Sequence, residues 1–488
     1  MYLLVVVDNP KLWPLDIPNV EVVQARKYIT EETFTRIGDA RVFNLCKSYK
    51  YQSTGYYVSL LAAARGHKPI PDVSTIRDLQ FPTIVRLASE TLDEEIQKCL
   101  ADHKGTTFTL SIYFGRNLAK RYDRLCLELF NLFRAPLLRA EFVKEDDRWQ
   151  LQNIGPITVS EVPESHHGFI VVVASEFFRG RHRRVRPRSQ PVFSMAILAS
   201  ANDAHAPSNP RALDKFIEAA EQIGIDAEII DRDDFSRLPE YDALFIRETT
   251  SVTNHTFRFA RRAEAEGLVV MDDSKSILRC TNKVYLEELL TRHRIPTPKS
   301  VIVHRDNLDL LPYEIGFPLI LKQPDSSYSV GVIKIESREQ LLREAPPMLE
   351  DSELLIAQEF LPTEFDWRIG VIDGKAFYAC KYFMAKKHWQ IVQRESDGVQ
   401  EGRVQAVPLG KVPDFVLDVA VRASRLIGDG LYGIDLKQVD NKVYVIEIND
   451  NPSIDAGFED AVMKDRIYLT VMKSFLRRLK TRQQVKQP

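Results

Sequence analysis

At 488 residues the chain is too long for a single hydrophobic core, and about three to four domains of ordinary size are expected. A content of 44% hydrophobic and 27% charged residues excludes a disordered or fibrous protein. A net charge of -2 provides no overall field that would attract nucleic acid or an acidic membrane.

The N-terminus and the cysteines indicate a cytoplasmic protein. Met1 leads directly into an apolar run, without the basic segment and cleavage site of a signal peptide. The longest apolar stretches, such as residues 169–174, are far shorter than the roughly 20 residues of a membrane helix, so no membrane association is expected. Reduced, structural thiols are expected at the five scattered cysteines, Cys46, Cys99, Cys126, Cys280 and Cys380.

Residues 1–178 are predicted to form an α/β or α+β domain, followed by a linker at 179–191. The domain combines strand patterns at 3–7, 107–113 and 168–174 with helix patterns at 92–100 and 119–133. No motif in this domain indicates a reaction. The linker is rich in arginine and contains Gly180 and Pro187. A solvated connector is the preferred interpretation, and docking of an acidic peptide or RNA is the alternative.

Residues 192–280 show a β-α-β succession that predicts an open parallel sheet. The predicted strands are 193–200, 226–231, 243–247 and 268–271, and the predicted helices are 211–223 and 257–266. A further helix at 283–293 precedes a region richer in strands, 281–475, where the chemistry is expected. Residues 476–488 are predicted to be a basic tail at a frayed helical end.

One glycine pattern is misleading. Gly428, Gly430 and Gly433 fit the G-x-G-x-x-G pattern of dinucleotide-binding proteins. That fingerprint follows a strand and opens a helix, whereas this one follows a helical stretch, 414–427, and leads into a strand, 432–439. A helix C-cap and turn are therefore predicted. The sequence also lacks a P-loop, so ATP, if it is used, is held in another way.

Three oxygen-bearing side chains on a predicted hairpin suggest a metal site. Glu447 and Asn449 are two residues apart and are expected to share a strand face with Val443 and Val445, with Ile446 and Ile448 on the other face. Asp435 joins them if a three-residue loop, 440–442, pairs it with Glu447. Two acids and an amide suit Mg²⁺, which binds one or two protein carboxylates together with water and phosphate oxygens.

Two lysines and a small-residue loop suggest a phosphate site. Lys283 opens a predicted helix, and Lys322 ends an apolar strand. The loop that follows, 323–331, contains Ser327, Ser329 and Gly331 and could turn backbone N–H groups toward phosphate oxygens. A plain turn is the alternative.

A third strand, 355–360, carries polar groups at its end and leads to Asp366. Such an edge can receive an adenine through backbone groups while a carboxylate binds the ribose hydroxyls. By itself this pattern is weak evidence for an adenosine site, and it supports one only together with the predicted metal and phosphate sites.

In order along the chain, these pieces resemble the RimK-like glutamate ligases of the ATP-grasp family over about residues 192–475. The matching pieces are 281–283, 318–322, the serine and glycine loop, 358–360, 366–368, 433–436 and 447–449. The region before Arg179 resembles the RimK-like ATP-grasp N-terminal domain. The resemblance implies an α/β fold with a pre-ATP-grasp parallel-sheet domain at 192–280 and a two-lobed ATP-grasp domain at 281–475.

The resemblance also implies site roles. Lys283 and Lys322, with the loop residues, would meet the ATP phosphates. Gln358, Glu359, Phe360 and Asp366 would hold adenosine. Asp435, Glu447 and Asn449 would bind Mg²⁺, or Mn²⁺ in its place. A departure from the family lies at 386–390, where an Arg-Ser-Asn motif is replaced by Lys-Lys-His-Trp-Gln, so the acceptor substrate is left open.

The expected reaction joins a carboxylate to an amine through an acyl phosphate, with release of ADP and phosphate. Arg368 and Lys381 are the candidate catalytic cations for the tetrahedral oxyanion. The candidate substrate contacts are Arg247, Lys387, Trp389 and Asn451. The expected substrates are amino acids or peptides, including a protein terminus, and a homo-oligomer is left open. The alternatives are a non-catalytic nucleotide sensor with a protein-binding N-terminal domain and an RNA-associated protein.

Overall fold

A computed structural model of the chain describes residues 2–18, 20–38, 40–179, 193–325, 331–385, 389–390, 392–395 and 398–486. The chain divides into two compact units, residues 1–188 and 189–488. Ser327, Ser329, Lys387 and most of the expected linker lie outside the described residues.

The first unit combines a parallel sheet with an antiparallel one. Its strands are β1 (Tyr2–Val7), β2 (Glu21–Gln24), β3 (Ala40–Asn44), β4 (Lys68–Ile70), β5 (Thr107–Tyr113), β6 (Leu137–Glu145) and β7 (Arg148–Pro156). Its helices are α1 (Ala25–Thr30), α2 (Glu32–Arg36), α3 (Thr54–Ala64), α4 (Val73–Asp78), α5 (Pro82–Thr91), α6 (Asp93–Leu100), α7 (Asp123–Leu132) and α8 (His167–Arg179). The parallel sheet has the order β2-β1-β3-β4, and the antiparallel sheet has the order β5-β6-β7.

Strand β1 shows why the parallel sheet is buried on both faces. Leu4 and Val6 pack into one hydrophobic cluster, and Val5 and Val7 pack into another. Successive side chains of a strand point to opposite faces, so a continuous apolar run is needed where both faces are covered.

The apolar run at 168–174 was predicted to be a strand, and this prediction is wrong: the run lies inside α8. Ile170, Val173 and Ala174 are buried, whereas Val172 is exposed, which is the spacing of a helix with one buried face. A run of seven apolar residues is compatible with either element, and only its surroundings decide between them.

The second unit contains the remaining elements. Its strands are β8 (Phe193–Leu198), β9 (Ile225–Ile230), β10 (Ala243–Ile246), β11 (Val269–Met271), β12 (Ser300–Val303), β13 (Leu319–Lys322), β14 (Val332–Ile335), β15 (Leu355–Glu359), β16 (Phe365–Ile372), β17 (Lys375–Phe383), β18 (Val392–Glu395), β19 (Gly398–Glu401), β20 (Val404–Val407), β21 (Leu431–Val439) and β22 (Lys442–Asn449). Its helices are α9 (Pro210–Gln222), α10 (His255–Ala265), α11 (Ser274–Thr281), α12 (Lys283–Arg292), α13 (Leu311–Glu314), α14 (Arg338–Asp351), α15 (Asp414–Ile427), α16 (Asp460–Met463) and α17 (Arg466–Lys486).

Over its described residues the second unit has three sheets of four or five strands and a two-stranded sheet of β18 and β19. The prediction of an open parallel sheet for its first part is confirmed. The parallel sheet has the order β11-β10-β8-β9. An antiparallel sheet with the order β12-β15-β13-β14 follows, and then a five-stranded antiparallel sheet with the order β20-β17-β16-β21-β22. The expected α/β class is therefore observed. Gly428 caps α15 and precedes β21, as predicted from the glycine pattern.

The C-terminal helix is firmly packed, so the prediction of a frayed tail after residue 475 is wrong over the described residues. Helix α17 continues through that boundary. Leu479 is only 2% exposed, and Arg478 binds the carboxylate of Asp373 at 2.9 Å. Arg477 and Lys480 are exposed on the outer face of this helix, whose other face belongs to the core.

Candidate active site

The hairpin of β21 and β22 carries the two candidate metal-binding carboxylates. Asp435 pairs with Glu447 across the hairpin, as the metal hypothesis required. The loop is shorter than expected, because Val439 pairs with Lys442 and only residues 440 and 441 lie between them. A bulge next to Asp435 inserts one extra residue, Ile446, on the opposite strand and restores the pairing.

The same bulge corrects the predicted strand faces. Val443, Val445 and Ile448 all belong to one hydrophobic cluster, so Ile448 does not lie opposite Val443 and Val445 as predicted. The extra residue reverses the alternation between Val445 and Ile448. Glu447 and Asn449 therefore face away from this core, on the side where Asp435 binds its partners.

Asp435 is buried and is held by two neighbours. Arg368, on β16, forms a two-point ion pair through Nε and Nη2, with Nη2 2.8 Å from Oδ2. Asn449 donates from Nδ2 to the same Oδ2 at 3.2 Å. Burial raises the pKa of the Asp435 carboxyl above its usual range, opposed by Arg368 and reinforced by the charge of Glu447. Two carboxylates this close favour a bound cation.

The two candidate phosphate-binding lysines lie near the same hairpin. Lys283, the first residue of α12, has its Nζ 3.4 Å from Glu447 Oε1. Lys322, at the end of β13, is buried and donates to Gln358 Oε1 at 2.7 Å. Burial lowers the pKa of Lys322 to about 8, although the charge of Glu447 acts in the opposite direction. Three elements distant in sequence thus bring cations and carboxylates together.

Helix α12 is fixed at its start by contacts to the loop after β13. Asn282 caps the helix through Oδ1 and donates from Nδ2 to Asp325 Oδ1 at 2.8 Å. The backbone N–H of Lys283 donates to the carbonyl of Pro324 at 3.0 Å. An N-cap that also holds the neighbouring loop ties both lysine-bearing segments to one position.

The candidate adenosine residues occupy different settings. Glu359 is exposed at the end of β15, and the ring of Phe360 lies 6.1 Å from that of Trp389. The side chain of Gln358 is engaged by Lys322 and Ser300, so it supports Lys322 and is not directed at a base.

Asp366 and Gly331 also have local partners. Asp366 accepts from Lys437 Nζ at 2.6 Å and from Thr363 Oγ1 at 3.1 Å. Gly331 has a φ of +65°, and a Cβ there would lie 2.2 Å from Gln323 Oε1. The positive φ favours glycine at this position, and a side chain there would also displace Gln323.

Arg247 and Asn451 were candidates for substrate binding, and the structure corrects this assignment. Arg247 is fully buried. It donates to Ser208 Oγ, to the carbonyls of Pro207 and Pro452, and to Asn451 Oδ1 at 2.7 Å. The Asn451 amide in turn donates to the carbonyl of Glu248 at 2.6 Å. Both residues anchor the end of β22 to the parallel sheet.

Lys381 was a candidate catalytic cation, and the structure corrects this as well. It pairs with Trp367, whereas Arg368 pairs with Asp435 on one side and Cys380 on the other. Strand alternation therefore places Lys381 on the opposite sheet face from Arg368. Its Nζ lies 4.1 Å from the centroid of the Phe365 ring, which is a cation–π contact away from the carboxylates.

Three neighbours of the site were missed in the sequence. Lys437 lies two residues after Asp435 on β21 and binds Asp366, and strand alternation could have identified it. Lys334 Nζ lies 4.6 Å from the Phe360 ring. The Tyr382 ring lies under Arg368 at 4.9 Å, and its hydroxyl donates to Glu459 at 2.7 Å. No local pattern marks Lys334 or Tyr382, since each is defined by a partner far away in the chain.

The donor set fits a hard cation with few protein ligands. In the described part of the chain, no group of three or more His, Cys, Asp or Glu side chains is arranged to hold a metal ion. Asp435, Glu447 and the Asn449 amide offer two carboxylates and one amide oxygen. Mg²⁺ accepts one or two protein carboxylates and fills its other positions with water and phosphate. The arrangement suits an ion that arrives with a nucleotide.

Within the described residues, no helix has the length and apolar character needed to cross a membrane. All five cysteines are free, and Cys99 is the least buried of them.

Comparison with known families gives two matches. Residues 25–172 match the RimK-like ATP-grasp N-terminal domain, and residues 280–464 match the RimK-like ATP-grasp domain.

Individual proteins are similar to about half of the chain. A probable alpha-L-glutamate ligase from Vibrio vulnificus is 28% identical over 47% of this chain and 74% of its own length. One from Marinomonas sp. is 26% identical over 53% of this chain and 89% of its own. The crystal structure of D-alanine–D-alanine ligase from Bacillus anthracis has a TM-score of 0.48 at 14% identity, covering 59% of this chain and 99% of that one.

Proposed function

The chain belongs to the RimK-like ATP-grasp ligases, with a RimK-like ATP-grasp N-terminal domain ahead of its ATP-grasp domain, and on this premise we propose its reaction. It joins a carboxylate to an amine in an ATP- and Mg²⁺-dependent reaction and releases ADP and phosphate. The carboxylate is first converted to an acyl phosphate, because a free carboxylate does not condense with an amine in water.

One observation carries this proposal. Lys283, from the start of α12, and Asp435, from β21, both lie against Glu447 of β22. The charge of Glu447 also acts on Lys322 of β13. Cations for a polyphosphate and carboxylates for its metal ion thus meet at one residue, which is the arrangement that phosphoryl transfer requires.

On the nucleotide side, Lys283 and Lys322 neutralise the phosphates. Lys322 is positioned by Gln358, because Lys322 Nζ donates a hydrogen bond to Gln358 Oε1 at 2.7 Å. Glu359, Phe360 and Asp366 are assigned to adenosine, and the loop with Ser327, Ser329 and Gly331 to the phosphates. A bound Mg²⁺ would neutralise phosphate oxygens at Asp435, Glu447 and Asn449.

On the reacting side, Arg368 is the remaining catalytic candidate. Its guanidinium is held by Asp435 and lies over the Tyr382 ring, so its orientation is fixed before a substrate arrives. A preoriented cation costs no reorganisation when negative charge develops on the tetrahedral intermediate. The acceptor contacts are assigned to Lys387 and Trp389, and Trp389 lies beside Phe360.

Glutamate is the first substrate to test. The relatives that match about half of the chain carry the name probable alpha-L-glutamate ligase. We therefore propose that one substrate is an amino acid or a peptide with a terminal carboxylate and that the other is L-glutamate. L-Glutamate could also serve as both substrates.

The proposal is tested by incubating the full chain with ATP, Mg²⁺ and pooled amino acids and peptides, followed by mass spectrometry of the products. The expected result is a new amide whose mass is the sum of two substrates less one water, formed together with equimolar ADP. Omission of the amine is the control. ATP binding without any product across the panel would favour the alternative of a nucleotide sensor.

A further inference from the structure

Beyond the candidate metal site, the second unit contains buried carboxylate oxygens that lack partners. Asp272 and Asp450 are 2% and 6% exposed. Among the described residues, Oδ1 and Oδ2 of Asp272 and Oδ2 of Asp450 have no hydrogen-bond partner. Buried polar atoms almost always have one, and buried charges are normally paired. These three oxygens therefore indicate a missing donor.

The fold brings both carboxylates to the end of β10. Asp272 follows β11 directly, next to the end of β10, because Phe245 pairs with Met271. Asp450 follows β22 directly, and its neighbour Asn451 is bound to Arg247 at the end of β10. Burial raises the pKa of the Asp272 carboxyl well above its usual range, the charge of Asp450 adds to this, and the charge of Arg247 opposes it.

The position is one where ligands bind in this type of sheet. Asp272 and Arg247 stand at the carboxyl ends of parallel strands, the edge at which open α/β sheets bind their ligands. Asp450 is the next residue after Asn449, so the pair of carboxylates adjoins the candidate metal site.

The charge of Arg247 acts on Asp272, but the three oxygens still have no hydrogen-bond partner among the described residues. Hydrogen bonds from Arg247 go to Ser208, Asn451 and two backbone carbonyls. A metal ion is a poorer match, because Mg²⁺ dehydrates reluctantly and keeps several bound waters, whereas these two carboxylates are buried. An organic ammonium group carries one positive charge and three N–H donors, which matches the three unpaired oxygens.

We propose that Asp272 and Asp450 form the subsite that receives the ammonium group of the amine substrate. This inference rests on the proposed ligase function and defines where its second substrate binds. The subsite selects a cationic primary amine and places it next to the hairpin that carries Glu447. The amine of an amino acid and that of a diamine share this chemistry.

The test measures ligand binding to the full chain by calorimetry, with a non-hydrolysable ATP analogue and Mg²⁺ present. L-Glutamate and putrescine are the two ammonium probes, and N-acetyl-L-glutamate is the matched probe without the cation. At least one ammonium probe is expected to bind, and the acetylated compound is not. In Asp272→Asn and Asp450→Asn, the affinity for that probe should fall about tenfold or more, and the affinity for the ATP analogue should stay within about twofold.

A stability measurement separates this role from a structural one. Burial and the charge of Asp450 disfavour the ionised form of Asp272, and the charge of Arg247 only opposes them. Folding at neutral pH therefore carries a cost that Asp272→Asn removes, so the melting temperature of the ligand-free protein should rise. The control is Glu240→Gln, a buried acid that precedes β10 at the opposite edge of the same sheet and pairs with Arg237 Nε at 3.5 Å. This variant should melt earlier and bind the ammonium probe unchanged.

The proposal is overturned if neither ammonium probe binds the parent, if N-acetyl-L-glutamate binds equally well, or if both aspartate variants keep the parent affinity. Failure of the ligase function looks different. In that case the ammonium probe binds and responds to Asp272→Asn, but no ADP is released with any carboxylate.

Discussion

Glu447 faces Asp435 across a hairpin and forms an ion pair with Lys283 Nζ at 3.4 Å. Its charge can therefore act both on a metal ion bound beside Asp435 and on Lys283. Glu447→Gln keeps the size of the side chain and removes the charge. We expect turnover to fall more than about tenfold, which corresponds to about 1.4 kcal/mol in the barrier. ATP affinity should change less, because the adenosine contacts remain. ADP release and ATP binding are measured side by side.

The matched control for this variant is Asp440→Asn at the tip of the same hairpin. Asp440 is exposed and has a φ of +51°, a conformation that asparagine tolerates. Its turnover should equal that of the parent. Unchanged turnover in Glu447→Gln would remove this residue from the reaction.

Lys322 predicts a pH dependence of ATP binding. Its pKa is lowered to about 8 by burial, so the ammonium loses its proton above that pH in the free protein. Phosphate charge favours the protonated form and raises the pKa again in the complex. ATP binding at pH 8.5 should therefore take up a proton, and affinity should weaken as the pH rises above about 8.

This coupling is measured by calorimetry in buffers of different ionisation enthalpy. Lys322→Met should abolish the proton uptake, and Lys480→Met, at an exposed position of α17, should retain it. Proton release, or uptake that persists in Lys322→Met, would show that Lys322 does not meet the phosphates.

At the scale of elements, strands and helices with a regular apolar pattern could be predicted from the sequence. Loop lengths and β-bulges, which change strand register and strand faces, could not. Strand β5 and helix α15 were expected at the observed bounds. The pairing of Asp435 with Glu447 was predicted for a wrong reason, because a shorter loop and a bulge at Ile446 offset each other. Lys381 was misassigned because its sheet face depends on pairing with Trp367, which periodicity alone does not fix.

Helix α17 provides a prediction at this scale. Leu479 lies beyond the boundary expected for a frayed tail and is nevertheless buried against the core. Leu479→Ala should lower the free energy of unfolding by about 2–5 kcal/mol through lost burial and a cavity. Lys480→Ala, one residue further on the exposed face, should have little effect. Equal stabilities in denaturant titrations would restore the frayed-tail interpretation.

At the scale of the whole molecule, the division into residues 1–188 and 189–488 gives each unit hydrophobic clusters of its own. We expect two transitions in calorimetric unfolding. ATP with Mg²⁺ should stabilise only the second unit, by about 2.7 kcal/mol at a hundredfold excess over Kd, and should therefore raise the melting temperature of its transition alone. Leu479→Ala should lower the same transition. A nucleotide shift confined to the other transition would place the ATP site in the first unit.

Activation of a carboxylate by the γ-phosphoryl group of ATP is tested most directly by the fate of the carboxylate oxygen. The carboxylate substrate identified by mass is labelled with ¹⁸O and incubated with the full chain, ATP, Mg²⁺ and the amine. Attack of the amine on an acyl phosphate leaves one carboxylate oxygen on the departing phosphate. We predict ADP together with phosphate that carries one ¹⁸O atom. Formation of AMP and pyrophosphate, or of unlabelled phosphate, would contradict the acyl phosphate mechanism.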